Sequence, residues 1–321
     1  MKLAIVTLCL VFLVGFNSAY PGHPSNYSVD VLWSVFKNQY GRKYGVDEEP
    51  LRKLIFASNV RQVAKHNQKF GYRSYRMAVN QFADLTTDEI EAVLKHVPKF
   101  SGSELSPNNV APPTSFDWRS QGVVSPVQDQ GQLGSPIDFG LVGSAESVNA
   151  IKLKGKIQPL SVSQVGDCYT GDAFVNEVLA YLVEYGLEEE QTYKQAPGGG
   201  CGYNRDQVKV NVTGGVTTTS GSETELQAGV YQNGPTAVLL TVDNNLIFYG
   251  GGIYSSVTCS KEAANHMMLA VGYGCENGTD YWILKNSWGS NWGENGYVRL
   301  ARNQGNTCGV ASNTLAIKIV D

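Results

Sequence analysis

Between residues 29 and 96, apolar and charged positions interleave at helical spacing. Val31, Leu32, Val35 and Phe36 fall on one helical stripe. A longer helix is predicted through Leu51, Leu54, Ile55, Val60 and Val63. From Phe100 to Pro113 the chain is rich in Ser, Pro, Gly and Asn, the composition of an exposed linker and processing site. After Phe116 the texture changes. Helical spacing marks about Ser135–Leu153 and Ala173–Tyr185. Alternating runs follow at Thr236–Val242, Met268–Tyr273, Tyr281–Asn286 and Tyr297–Ala301, separated by turn formers such as Gly250-Gly251-Gly252 and Asn277-Gly278. The pattern predicts a helical lobe followed by a mostly antiparallel lobe, with a cleft between them as the natural binding place.

Composition narrows the class without fixing it. The 321 residues are 42% hydrophobic and 17% charged, enough to bury one large domain and a smaller one. The net charge is -4 and no Lys/Arg-rich run occurs, so nucleic acid is not expected as a partner. Residues 20–105 hold 12 Lys/Arg against 9 Asp/Glu, and residues 106–321 hold 12 against 20, a balance that suits two pieces that dock. Met1–Ala19 has the form of a signal peptide: Lys2, an apolar run from Leu3 to Phe16, then Asn17-Ser18-Ala19. That run is too short to span a bilayer comfortably, and nothing after residue 19 reads as a membrane anchor. A secretory route to an extracellular or lysosomal destination follows, and with it an oxidising compartment. Asn26, Asn211 and Asn277 head Asn-x-Ser/Thr triplets and are candidate glycosylation sites.

Several motifs, in order, carry a resemblance. Gln130-Gly131-Gln132-Leu133-Gly134-Ser135, Asn265-His266, Asn286-Ser287-Trp288-Gly289 and Trp292-Gly293-Glu294-Asn295-Gly296-Tyr297 resemble the papain-like cysteine peptidases, in their cathepsin L-like branch. Glu48, Arg52, Phe56, Asn59, Val63 and Asn67 resemble the interspersed helical motif of that family's inhibitory pro-segment. Asn80, Phe82 and Asp84 resemble its second short motif, with Ala78 where glycine is usual. The resemblance spans about Val29 to Asp321. It implies an α+β, two-lobed papain-like fold, a helical lobe plus an antiparallel β-barrel-like lobe, with an N-terminal helical pro-domain. The expected division is a signal peptide at 1–19, the pro-segment and linker at 20–105, and the mature domain at 106–321.

The chemistry of a thiol protease needs a thiolate, an imidazole beside it, a group that orients the imidazole and donors for an oxyanion. By the resemblance, His266 is the base, Asn286 its orienter, Gln130 the oxyanion donor and Trp288 the shield over the His–Asn bond. The alternative for His266, Asn286 and Trp288 is that they are kept because they pack the junction between lobes. His266 is the only histidine after residue 96, so no other imidazole can serve and no histidine metal cluster is expected there. The family's pattern at the nucleophile is Gln-Gly-x-Cys-Gly-Ser-Cys-Trp-Ala-Phe, whereas this chain runs from Gln130 through Ser135-Pro136-Ile137-Asp138-Phe139. Proline stands in the cysteine's place and offers nothing that can attack a carbonyl. Ser135-Pro136-Ile137-Asp138 instead reads as a helix start, with Ser135 as N-cap, Pro136 at the first helical position and an acid at the third.

A second departure agrees with the first. Leu133 replaces one cysteine of a family disulfide, and Cys168-Tyr169-Thr170-Gly171-Asp172-Ala173 omits its partner together with the Gly-Gly edge on which family substrates lie. The remaining family positions imply disulfides Cys168–Cys201 and Cys259–Cys308 and leave Cys275 odd. Cys275 lies nine residues beyond His266 on a predicted strand, about 30 Å away if extended, too far to replace the nucleophile. The expected protein is thus a monomeric, cofactor-free pseudo-peptidase whose cleft takes its own pro-segment and could take peptides, proteases or protease inhibitors. The family resemblance alone implies a cysteine-type endopeptidase, and an inert structural or storage protein is the third class.

Overall fold

The computed structural model describes residues 28–70, 74–94, 103–104, 111–131, 134–171 and 174–320. The signal-peptide reading, Asn26, Leu133, Asp172, Ala173 and most of the linker fall outside those residues. The front segment contains α1 (Val29–Gln39), α2 (Glu49–Phe70), β1 (Tyr75–Met77), α3 (Thr87–Val93) and β2 (Ser103–Glu104). After β3 (Phe116–Asp117) come α4 (Pro136–Lys152), α5 (Val162–Cys168) and α6 (Val175–Tyr185). β4 (Leu187–Glu188), β5 (Val208–Val210), β6 (Val212–Thr217), α7 (Glu223–Asn233), β7 (Thr236–Leu240), α8 (Asn244–Ile247) and β8 (Tyr249–Tyr254) follow. β9 (His266–Glu276), β10 (Thr279–Lys285), β11 (Tyr297–Ala301) and β12 (Asn313–Ile319) complete the chain.

The large sheet runs β1-β8-β11-β10-β9-β7-β12-β6-β2, with β3 on β9. Its pairings are antiparallel except β11 on β8 and β2 on β6. Both outermost strands therefore belong to the front segment. Strand alternation sorts the side chains into two cores. On β7, Val238 and Leu240 face the barrel core, while Ala237 and Leu239 face the helical lobe. Met267 and Met268 divide the same way at the start of β9.

The central helix α4 is buried on nearly all sides, so its polar residues must find partners inside. Ser144 Oγ donates to the Pro235 carbonyl at 2.8 Å and accepts from Ile317 N at 3.2 Å; Asn149 Nδ2 reaches Gln158 Oε1 at 3.1 Å. Gly140 lets the helix approach β9, since a Cβ there would sit 2.4 Å from Met267 Sδ. The disulfides join Cys168 to Cys201 and Cys259 to Cys308.

The front segment is not an appendage. Trp33, Phe36, Phe56 and Val63 belong to the same continuous core as Leu284, Trp288 and Trp292. The polar residues of α2 hold the following loop: Asn59 Nδ2 donates to the Ala83 and Leu85 carbonyls, and Asn67 pairs with both backbone groups of Met77. Arg52 bridges Glu48 and Glu89. Leu51, Leu54 and Val31, which helical spacing marked as part of these helices, are exposed, at 59%, 67% and 48%. The aromatic residues Trp33, Phe36 and Phe56 already close the contact between α1 and α2, with ring centroids 4.8–5.7 Å apart, and leave those aliphatics on the outer face.

Candidate active site

The site is built where the first turn of α4 meets the start of β9 and the end of β10. Asn265 closes the entry to β9 by pairing with both backbone groups of Val242, at 2.7 and 3.0 Å. The next residue, His266, is fully enclosed. Its Nε2 lies 2.8 Å from Asn286 Oδ1, which also accepts from Ser287 N at 2.8 Å. An oxygen acceptor at Nε2 means that this nitrogen carries the proton. The other ring nitrogen, Nδ1, is buried with no hydrogen-bond partner among the described residues. Burial drives the imidazole pKa down to about 4 against a smaller upward pull from Asn286, so the ring is neutral at physiological pH. The indole of Trp288 stacks on it with centroids 4.6 Å apart and is itself 1% exposed.

Gln130 joins this group through backbone pairing. Its N–H donates to the Ser287 carbonyl at 2.8 Å, and Gly289 N donates to Gln128 O at 3.0 Å. The side chain is occupied too: Oε1 accepts from Ser287 Oγ at 2.5 Å and Nε2 turns to the Gly134 carbonyl at 3.4 Å. The sequence-derived residues His266, Asn286, Trp288 and Gln130 therefore form one connected cluster. Cys275 is exposed at the far end of the strand that His266 begins.

Pro136 is the first residue of α4, and Ser135 precedes it with extended backbone angles. The hydroxyl, expected to cap, makes no cap hydrogen bond, and Ser135 Oγ is buried without a partner among the described residues. The reason is local: the Asp138 amide is already bonded to Ser135's own carbonyl at 3.2 Å, which leaves that N–H no need of the hydroxyl. Proline also has no backbone N–H. The helix therefore begins without the amide that a cysteine at this position would present.

One buried cluster beside the site escaped sequence reasoning. Glu146 on α4 accepts from Ser125 Oγ at 2.5 Å and from Leu160 N at 2.8 Å, and Lys285 Nζ donates to Ser125 Oγ at 3.0 Å. Burial pushes the Glu146 carboxyl up against the pull of Lys285, and burial pushes Lys285 down against the pull of Glu146. Its members are far apart along the chain, and the one local signal was a lysine directly before Asn286.

The front segment reaches the same place. Asn80 Nδ2 donates to the Ile247 carbonyl at 2.7 Å, and Gln81 Nε2 donates to that of Trp288 at 2.7 Å. The Phe82 ring meets Trp288 edge-on at 5.0 Å. Ala78, the departure from glycine, is accommodated because Gly250 lies opposite, where a Cβ would come within 2.6 Å of the Ala78 methyl.

Comparison with known proteins places these features. A model of the papain family of cysteine proteases matches residues 112–318, and one of the cathepsin propeptide inhibitor domain (I29) matches residues 33–90. The chain is 37% identical to a cathepsin L-like proteinase of Fasciola hepatica, over 97% of each chain. It is 34% identical to digestive cysteine proteinase 2 of Homarus americanus, over 97% of this chain and 98% of that one. Among solved structures it resembles digestive procathepsin L 3 of the Tenebrio molitor larval midgut, with TM-score 0.83, 37% identity and coverage of 91% and 99%.

Proposed function

We infer that this chain, which belongs to the papain family of cysteine proteases and carries the cathepsin propeptide inhibitor domain, is a member that has kept the fold and lost the chemistry. The observation that carries the reading is Pro136. A thiol protease draws two things from that position, a thiolate and a backbone N–H that helps hold the oxyanion; a proline supplies neither. Gln130 Nε2, the second oxyanion donor, gives one of its two N–H groups to the Gly134 carbonyl at 3.4 Å, while Oε1 accepts from Ser287 Oγ. His266 keeps its 2.8 Å bond to Asn286, with Asn286 as orienter and Trp288 as shield. Without a thiolate to pair with, it stays neutral and enclosed. Its role here is to pack the junction between lobes.

The role that remains is binding. The front segment lays Gln81 and Phe82, which lie in a turn, on Trp288. We propose a binding or decoy protein of the secretory pathway. Its cleft is held by its own pro-segment and, once that is cut by another protease, takes peptides, proteases or their inhibitors. Self-cleavage is not available to it.

The His266–Asn286 pair also favours a second reading, a working cysteine-type endopeptidase like the relatives, with a nucleophile elsewhere. An epoxide thiol probe separates the two. Mass spectrometry of the processed chain after probe treatment is expected to find no adduct in the cleft. Stoichiometric labelling of any cleft residue supports the second reading and removes the first.

A further inference from the structure

We propose that Asn277 carries an N-linked oligosaccharide, and that this glycan screens the odd thiol of Cys275. Two of the three candidate triplets, at Asn211 and Asn277, lie among the described residues. Asn277-Gly278 is the two-residue connection between β9 and β10, with φ of +51° and +78°. Positive φ at both central positions is the geometry of a tight hairpin turn, which asparagine and glycine tolerate. Asn277 and Gly278 are both exposed, and a Cβ built on Gly278 meets nothing within 4 Å. No hydrogen bond engages the Asn277 amide among the described residues. A large polar group attached there projects into solvent and disturbs no packing.

Asn211 sits between β5 and β6, where its carbonyl accepts from Val320 N at 3.0 Å, and it is exposed like Asn277. Asparagine is modified on the nascent chain, and the folded protein retains the sugar without strain only where Nδ2 can face water. Asn211 and Asn277 both meet that criterion, and of the two Asn277 lies on the hairpin that carries the odd thiol.

The chemistry is a group transfer from a polyprenyl-pyrophosphate-linked oligosaccharide. A bond forms between Asn277 Nδ2 and the anomeric carbon of the first sugar, and that carbon's bond to the pyrophosphate breaks. Nδ2 loses a proton and the pyrophosphate lipid leaves; nothing is oxidised or reduced. Thr279 supplies the hydroxyl that the acceptor triplet requires.

The consequence concerns the thiol. Cys275 is exposed and pairs across the hairpin with Asp280, two residues before Asn277. At ~3.3 Å per residue the two are separated by about 7 Å of chain, well inside the volume swept by a branched oligosaccharide. An exposed odd thiol in an oxidising compartment invites intermolecular disulfides. A glycan on the same hairpin tip keeps a second copy away from it.

The inference takes from the proposed function only the compartment. The test therefore expresses the full chain in a eukaryotic secretory host, once with its own leader and once with a heterologous one. The second arm reads Asn277 even if the native leader fails. Peptide mapping after enzymatic deglycosylation in heavy-oxygen water is expected to find labelled aspartate at 277. A polyethylene-glycol maleimide is expected to react with Cys275 of the folded protein roughly tenfold faster once the sugar is removed, because thiol reactivity follows exposure. Asn277→Gln is expected to form disulfide-linked dimers that Asn277→Gln/Cys275→Ser does not. Unmodified asparagine at 277 in the heterologous-leader arm overturns the assignment. Equal thiol reactivity with and without the sugar overturns the screening.

Discussion

The state of His266 can be tested without any substrate. Its folded pKa lies near 4, below the 6.5 of a free imidazole, because burial penalises the charged ring. The unfolded chain therefore takes up a proton first as pH falls. This group's contribution to stability is complete above about 6.5 and drains away between 6.5 and 4. Linkage gives about 2 kcal/mol lost by pH 5 and about 3 kcal/mol lost at pH 4 and below. The perturbation is His266→Gln, which keeps an amide for Asn286 and does not titrate. Urea unfolding of both proteins at pH 7.5 and pH 5 supplies four free energies, and their double difference isolates the imidazole, since all other titrating groups are shared. Wild type is expected to lose about 2 kcal/mol more than the variant on acidification. Equal losses, or a smaller loss in wild type, mean that the native ring carries charge, as it does when a thiolate faces it, and the reasoning fails.

Three further outcomes follow from the geometry. Phe82→Ala removes an almost fully buried ring from Trp288 and is expected to cost about 3–5 kcal/mol of docking; hydrogen exchange should rise across residues 74–94 while α4 stays protected. Glu146→Gln and Lys285→Met, made singly, each strand a buried partner and should cost about 3–5 kcal/mol in urea unfolding, whereas the double variant should recover most of that; a double variant as weak as the sum rules out coupling through Ser125. Pro136→Cys restores both a thiol and an N–H. It is expected to alkylate with iodoacetamide yet turn over peptides at least about 100-fold more slowly than an active relative, because the family's Gly-Gly edge and the disulfide beside it are still absent from the sequence. Relative-like turnover in that variant means the reshaped cleft is of no consequence.

The parts of the molecule legible in the sequence are those set by local periodicity and by motifs that act through neighbours. Tyr297–Ala301 was readable as a strand to the residue, and α4 to within a residue at each end, because strand alternation and a proline helix start are local signals. The inward residues of α1 and α2 were read less well: Leu51 and Leu54 satisfy helical spacing, but the core went to the aromatics, which fill the same gap with more area. Strand order was not legible at all, since nothing local says that β1 and β2 of the front segment close the two ends of the sheet. At the site, the proline helix start was legible directly, and Pro136 is the first residue of α4. What spacing could not show is how neighbours use what remains: Ser287 taking the Gln130 oxygen, Ser125 linking Glu146 to Lys285, and Ser135 left without an N–H to cap.

Whether peptide hydrolysis can begin at this site is tested by steady-state hydrolysis of a fluorogenic dipeptide by the chain freed of its pro-segment, from pH 4 to pH 8, beside the same chain bearing His266→Ala. Both traces are expected to equal the rate of buffer alone. A rate above buffer that disappears with His266→Ala means that the site is catalytic and that Pro136 has not silenced it.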